Sequence, residues 1–312
     1  MVKLPPMSSD RSEISDLIVN FDPDSLARLP VDQTAVVEHF HKMGNARAAR
    51  VVAQMPARNG ALDPDAVDRL LVKVHREMQR LAEEFHHGRR LRELLVPIVQ
   101  ALRKNGIGQP IRMVDIGCGT GYAVRWLAMH GALGEDVELI GADYNTALIQ
   151  EAERLAALEH LRCRFVTANV FRMSQPAHIY FTTGVVHHFR GEALTHFFAE
   201  HNRPGTHAFL HFDFQPTPFA PLASWFFHVL RMRTALARHD GVVSVMRAYS
   251  GEELAETARR SAPGFLCGIF GGRIWNTPLP RVFHTLVGIR PELRDDFLCG
   301  LGRRMPRMGA LT

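Results

Sequence analysis

The sequence predicts an α/β fold built on a mostly parallel sheet, preceded by a helical region, and three observations predict it. From Ile111 to Ile116 the chain is apolar apart from Arg112 and Asp115, and glycines follow at positions 117, 119 and 121 before a helical pattern begins near Thr120. That is a strand, a tight turn and a helix start. A second apolar strand, V-E-L-I-G-A-D-Y from Val137 to Tyr144, ends on the carboxylate of Asp143. Strand-like and helix-like segments then alternate as far as Arg290, the pattern of βα units laid side by side.

The bulk properties set the frame. A chain of 312 residues holds one large core plus an accessory region, and 46% hydrophobic with 22% charged residues is ordinary globular composition. The four cysteines, Cys118, Cys163, Cys267 and Cys299, form no C-x-x-C pair. Neither a zinc site nor a disulfide framework is expected, and a reducing cytoplasm is. The start, M-V-K-L-P-P-M-S-S-D, has no apolar core, and no run approaches the ~18 apolar residues of a membrane span, so neither export nor insertion is expected. The net charge is +5 and the pI about 9.3. All the basic residues except Lys3, Lys42, Lys73 and Lys104 are arginine, and they are scattered, which reads as coding bias rather than a nucleic-acid footprint.

Taken in order, residues 1 to about 12 are polar and proline-punctuated and are expected to be disordered. Residues up to 108 form a helical region. In it Asp63-Pro64 is an N-cap with proline in the first turn. It opens a helix whose Val67, Leu70, Leu71, Val74, Met78, Leu81 and Phe85 make one apolar stripe. His75, His86 and His87 lack the spacing of a metal site and read as solvated or capping groups; no metal is expected. A second helix, Arg89 to Lys104, carries Pro97 and stops at Asn105-Gly106.

The glycine loop points to a nucleoside ligand. Glycines at 117, 119 and 121 let the backbone turn sharply and let a ligand approach the next helix, and a carboxylate at Asp143 can take both hydroxyls of a ribose. A dinucleotide fingerprint would place its third glycine at position 122, which is Tyr122, so the spacing disfavours NAD. With V-D-I-G-C-G-T-G, then G-A-D-Y-N, then T-T-G-V-V-H-H-F, the chain resembles the class I S-adenosylmethionine-dependent methyltransferases, over roughly residues 109 to 290. The resemblance implies a Rossmann-like, seven-stranded, mostly parallel sheet ending in an antiparallel hairpin, with S-adenosyl-L-methionine as cofactor. It places Asp115, Gly117, Cys118, Gly119, Gly121, Asp143, Tyr144, Asn169, Val170 and Thr183 at the cofactor, with Asn169 suited to adenine's N6 and N1 because an amide both donates and accepts.

The remaining elements follow. A helix from Asn145 to about Glu159 leads to the third strand, C-R-F-V-T-A-N-V, and H-I-Y-F-T-T-G-V-V is the fourth. Many family members open that fourth strand with an acid, where this chain has Ala177-His178. Gly191 to Asn202 is an amphipathic helix, and His207 to Phe214 a fifth strand with Asp213 at its carboxyl end. Residues 215 to 260 read as a helical insert in which Leu222, Trp225, Phe226, Val229 and Leu230 repeat at helical spacing, either as plain core or as a lid over an apolar substrate. F-L-C-G-I-F-G-G and P-R-V-F-H-T-L-V-G-I-R, joined across N-T-P-L-P, complete the sheet, and residues 291 to 312 read as a peripheral tail.

Ligands of open α/β sheets bind beyond the strands' carboxyl ends, where Gly117, Asp143, Asn169, His187, His188 and Asp213 all fall. Methyl transfer from a sulfonium needs positioning and water exclusion more than a nucleophile. A hydroxyl acceptor gains from a base, so His187 or His188 is expected to be catalytic with Asp213 as its acidic neighbour or a substrate anchor. Arg231, His239, Arg247 and Tyr249 are further candidates for the acceptor pocket. The expected acceptor is a small uncharged or aromatic molecule, with O-methylation favoured, as in secondary metabolism. RNA or protein methylation and non-catalytic cofactor binding are the rivals. Family enzymes that methylate base amines carry N/D-P-P-aromatic after the fourth strand, and cytosine-C5 enzymes a Pro-Cys; neither occurs here. Oligomeric state is open, a homodimer included.

Overall fold

The computed structural model describes residues 11–131, 133–172, 177–271 and 282–312. The helical region comprises α1 (Ile14–Leu17), α2 (Gln33–Lys42), α3 (Ala46–Ala53), a two-residue hairpin β1 (Ala57–Arg58) and β2 (Ala61–Leu62), α4 (Pro64–Glu84) and α5 (His87–Lys104). Asp63 caps α4 by accepting the Asp65 and Ala66 amides, with Pro64 at the first helical position, as the sequence predicts. The α4 stripe is buried at Val67, Leu71 and Val74 and packs with Phe40, Val52 and Leu236 in a core of its own. Met78, read as part of that stripe, is 47% exposed.

The sheet domain follows as β3 (Ile111–Ile116), α6 (Tyr122–His130), β4 (Val137–Asp143), α7 (Thr146–Leu158), β5 (Arg164–Thr167), β6 (Ile179–Thr183), α8 (Glu192–Ala199) and β7 (Ala208–Phe214). Then come α9 (Ala220–Arg231), α10 (Ala235–Met246), α11 (Gly251–Ser261), β8 (Leu266–Phe270), β9 (Phe283–Ile289) and α12 (Arg294–Leu301). Seven strands lie in the order β5-β4-β3-β6-β7-β9-β8. β3 pairs in parallel with both β4 and β6, and β9 runs antiparallel between β7 and β8. The expected antiparallel pair is therefore present; the segment said to join it, N-T-P-L-P, lies outside the described residues. Strand order reverses beside β3, which opens a crevice at the carboxyl ends of β3 and β6.

Two layers of helices cover the sheet. Leu94, Leu95 and Ile98 of α5, Val124 of α6 and Ala152 of α7 share one core with Phe181, Leu210 and Val287 of the strands. Phe197 of α8 and Leu254 and Ala258 of α11 share the other with Ile116, Phe209 and Leu286. The end of the segment read as a lid, α11, is thus a sheet-covering helix. Its capping box, Ser250 with Glu253, starts it.

Two expectations are corrected. The tail is not peripheral: Leu293, Phe297 and Leu301 are at most 1% exposed and pack against α5, each burial worth about 1.5–3 kcal/mol. Its last residues also cover the outer edge of β8, where the Cys267 amide donates to the Thr312 carbonyl and the Gly309 amide to the Ile269 carbonyl. The Leu222–Leu230 stripe is not core either. Leu222, Phe226 and Leu230 are 61–68% exposed, because α9 packs on α10 through small and polar groups: Ser224 Oγ donates to the Gly241 carbonyl and the His228 ring lies over Gly241. No helix among the described residues is long and apolar enough to cross a membrane.

Candidate active site

The glycine loop joins β3 to α6 at the sheet's central crevice. Gly117 and Cys118 donate their amides to the Ala142 carbonyl, and Gly121 closes a turn on the Cys118 carbonyl. Two of the glycines have steric reasons to be glycine. Gly119 has φ +54°, and a Cβ there would meet His75 Cδ2 at 2.3 Å; Gly121 has φ +74°, and a Cβ would meet Phe165 Cε1 at 2.3 Å. Sequence reasoning left His75 among the bland histidines, yet its ring lies on the loop, oriented by Nδ1 against the Leu71 carbonyl at 2.9 Å.

Asp143, at the end of β4, is buried and braces this loop. Oδ2 accepts the Gly119 amide at 3.0 Å and Oδ1 the Asn145 amide at 2.9 Å. Beneath the loop Asp115 is 1% exposed, and neither of its carboxylate oxygens has a hydrogen-bond partner. Burial, then the Asp143 charge, pushes its pKa well up. An orphaned carboxyl beside a backbone cradle fits a ligand carrying a cationic group. That is the donor set S-adenosylmethionine requires, a positive amino acid end and a ribose. Cys118 is buried with its thiol aimed at the Gly119 carbonyl, and burial holds that thiol well above its ordinary value.

Tyr144, Asn169, Val170 and Thr183 stand around the same rim, at or just past the ends of β4, β5 and β6. Tyr144 meets Phe21 edge to face at 5.0 Å, and Asn169 Nδ2 donates to the Pro23 carbonyl at 3.0 Å while Oδ1 accepts the Phe171 amide. Arg172 pairs with Asp24. Phe21, Pro23 and Asp24 therefore lie across this rim of strand ends, a placement that no local pattern in the sequence encodes.

Past β6, His187 and His188 sit in a short 3-10 turn and face a buried polar cluster. His187 is 2% exposed: its amide donates to Asp213 Oδ2 at 3.0 Å and its Nδ1 meets Asp213 Oδ1 at 2.8 Å. Its Nε2 has no hydrogen-bond partner, and Glu13 Oε1 is 3.7 Å away. Burial lowers the His187 pKa, with Asp213 opposing. Asp213 is held below its ordinary value by the His187 charge and hydrogen bonds, which outweigh burial.

His188 differs. Its Nδ1 contacts Asp16 Oδ1 at 2.9 Å, and although burial works the other way, Glu13 and Asp16 raise it to about 9. Burial raises Glu13 to about 8. Arg247 completes the cluster, its side chain 2% exposed, with Nη1 2.5 Å from Asp16 Oδ2 and 3.4 Å from Glu13 Oε1. Glu13, His187 and His188 offer three ligand atoms within 4.8 Å of one another, and the cation facing them is this guanidinium.

Of the other acceptor-pocket candidates, His239 lines a cavity. Arg231 pairs with Glu84 at the surface, and Tyr249 donates to the Phe189 carbonyl at 2.8 Å. The residues missed by sequence reasoning are Glu13, Asp16 and His75. The first two come from the opening of the region read as helical, just past the residues expected to be disordered.

A Rossmann-like seven-stranded sheet, three glycines at its crevice and a bracing acid on the next strand define the class. Residues 113–204 match the family model of a methyltransferase domain, and the chain carries such a domain, of the class I kind whose cofactor is S-adenosylmethionine.

Among known proteins, the chain is 30% identical over 87 residues to ribosomal RNA small subunit methyltransferase C of Alcanivorax borkumensis, covering 28% of this chain and 25% of that one. It thus spans about a quarter of that relative's length. Solved structures with a similar fold include an S-adenosylmethionine-dependent methyltransferase from Aquifex aeolicus, at 15% identity, 64% of this chain, 91% of that one and TM-score 0.40. The plantazolicin methyltransferase in complex with S-adenosylhomocysteine is 11% identical, covering 72% and 95%, with TM-score 0.49. The magnesium protoporphyrin IX methyltransferase of Synechocystis is 16% identical, covering 83% and 100%, with TM-score 0.42.

Proposed function

We propose that this protein methylates a hydroxyl oxygen of a small molecule with an apolar or aromatic body, with His187 as general base. Bound S-adenosylmethionine supplies a methyl group already activated by a sulfonium. The chain's own residues then have to hold the acceptor, exclude water and remove one proton. Asp143 takes the ribose hydroxyls in this reading, Asp115 faces the cationic amino acid end, and Asn169 turns to the adenine edge.

The observation that carries the reading is the Asp213–His187 pair. With Nδ1–H donated to Asp213, the neutral ring keeps its lone pair on Nε2, the atom left without a partner inside the buried cluster. Nε2 takes the acceptor's proton and Asp213 stabilises the imidazolium that results. His188, held protonated at neutral pH by the Asp16 carboxylate, has no lone pair on offer and anchors the segment that carries Asp16 instead.

The ribosomal RNA methyltransferase relative favours a nucleic-acid acceptor as a second reading. Against it stands T-T-G-V-V-H-H-F in place of the N/D-P-P-aromatic stretch of amino-methylating base enzymes. The four free cysteines support a reducing, cytoplasmic setting.

Turnover with a panel of phenols and hydroxy acids, followed by release of S-adenosylhomocysteine, tests the proposal. His187→Ala should lower turnover by about 10²–10⁴-fold and leave cofactor affinity unchanged. Wild-type turnover should fall only below the ordinary histidine pKa of ~6.5, since burial holds His187 under it. If His187→Ala and His188→Ala both keep wild-type turnover and pH profile, catalysis does not use this base.

A further inference from the structure

A cavity of about 280 Å³ lies between α2, α3 and α10, with Trp225 of α9 at its wall. Its lining holds three guanidinium groups, Arg11, Arg47 and Arg238, and no carboxylate. Arg11 and Arg238 donate only to backbone carbonyls, of Met246 and Met232, and none of the three has an acidic partner among the described residues. The other polar wall is His239, with Nδ1 on Asp240 at 2.7 Å and Nε2 against Asn45 Nδ2 at 2.8 Å. Three uncompensated cations around one concavity favour an anion.

The rest of the wall is apolar, from Phe40, Trp225 and Met246. Trp225 also belongs to the outward face of α9, where Phe219, Leu222 and Phe226 are 61–74% exposed. An apolar wall that continues onto an exposed apolar face suits a molecule longer than the cavity. The cavity also adjoins the catalytic cluster through one peptide bond. Ser12 lines it, and Glu13, the next residue, reaches to 3.7 Å from His187 Nε2.

We propose that the acceptor is an amphipathic organic anion, its acidic group held among Arg11, Arg47 and Arg238 and its apolar body running along Trp225. This rests on the methyltransferase reading above and replaces the uncharged acceptor expected from the sequence. In this proposal the insert's tryptophan takes the acceptor-side role weighed for its stripe against plain core, beside arginines that the stripe did not reveal.

Calorimetry on the full chain saturated with S-adenosylhomocysteine tests it, using octanoate, octanamide and acetate as probes. Octanoate should bind at least about tenfold more tightly than octanamide, because only the carboxylate makes charge-assisted bonds, and acetate, lacking the chain, should not bind. Arg47→Gln and Arg238→Gln should each weaken octanoate about tenfold and leave octanamide unchanged, whereas Trp225→Ala should weaken both. Arg47 is exposed, so its variant folds irrespective of the cavity. Octanamide binding as tightly as octanoate, no binding of either, or full octanoate affinity in both arginine variants would overturn the proposal. Octanoate binding to a protein that does not bind S-adenosylhomocysteine would instead overturn the methyltransferase reading and leave the anion site standing.

Discussion

Replacing Arg247 by methionine removes the one guanidinium from the cluster that ties residues 13–16 to the sheet domain. Its Nη1 is 2.5 Å from Asp16 Oδ2 and 3.4 Å from Glu13 Oε1, and its Nη2 donates to the His188 carbonyl at 3.1 Å. Removing one partner of a buried ion pair costs about 3–5 kcal/mol because the other charge stays buried. The lower end applies here: Asp16 keeps His188, its side chain is 19% exposed, and the variant can shed the strain by releasing α1 alone. Roughly 3 kcal/mol is about a hundredfold in an opening equilibrium. Native-state hydrogen exchange at Ile14, Ser15 and Ile18 reads it directly, since the first two amides donate to Asp240 at 2.8 and 2.9 Å and the third to the Ile14 carbonyl. Those amides should exchange about a hundredfold faster in Arg247→Met, with the strands unaffected. Unchanged exchange at all three would mean that the cluster does not hold the segment down.

Two further outcomes follow from the same geometry. The folded pKa values of His188 and Glu13 are raised, to about 9 and about 8, so the stabilisation they contribute is complete below their unfolded values and is lost as pH rises. Docking of the segment should therefore weaken from about pH 5, through Glu13, to about pH 9, through His188, seen as faster proteolysis near Glu13, and a rate flat across that range would contradict the assignment. Gly119→Ala should cost about 1–3 kcal/mol from its positive φ alone, plus a clash with His75. Thermal unfolding of Gly119→Ala with and without His75→Ala separates the two, because only the clash is relieved; no rescue would mean that His75 does not press on the loop.

How far the fold could be read from sequence depended on the range of the interaction that fixes each part. Gly117, Gly119 and Gly121, Asp143 and the β3 and β4 strands are legible because turn sterics and strand apolarity act over a few residues. The same is true of Asp63-Pro64 at the start of α4. The departure at Ala177-His178 is instead explained across strands, since His178 Nδ1 accepts the amide of Arg112, 66 residues away, at 2.9 Å. The clustering of His187 with Asp213 was legible from topology alone, both falling at carboxyl ends of neighbouring strands.

Glu13 and Asp16 were not legible. Their partners are 172 and 231 residues away, and no periodicity records an ion pair of that separation. Helix α9 misled for a different reason: its apolar stripe obeys helical spacing, but the contact with Gly241 turned the polar side inward. The tail misled through composition, its arginines masking Leu293, Phe297 and Leu301 at four-residue spacing.

In the proposed function the glycine loop, Asp115 and Asp143 make a nucleoside site for S-adenosylmethionine. Calorimetry with S-adenosylhomocysteine and NAD on the wild type and on Asp143→Ala tests it most directly. Binding of S-adenosylhomocysteine, none of NAD, and a loss in the variant set by two charge-assisted bonds of ~1.5–3 kcal/mol each are the predicted results. Tight NAD binding with no S-adenosylhomocysteine binding, or an affinity untouched by Asp143→Ala, would contradict it.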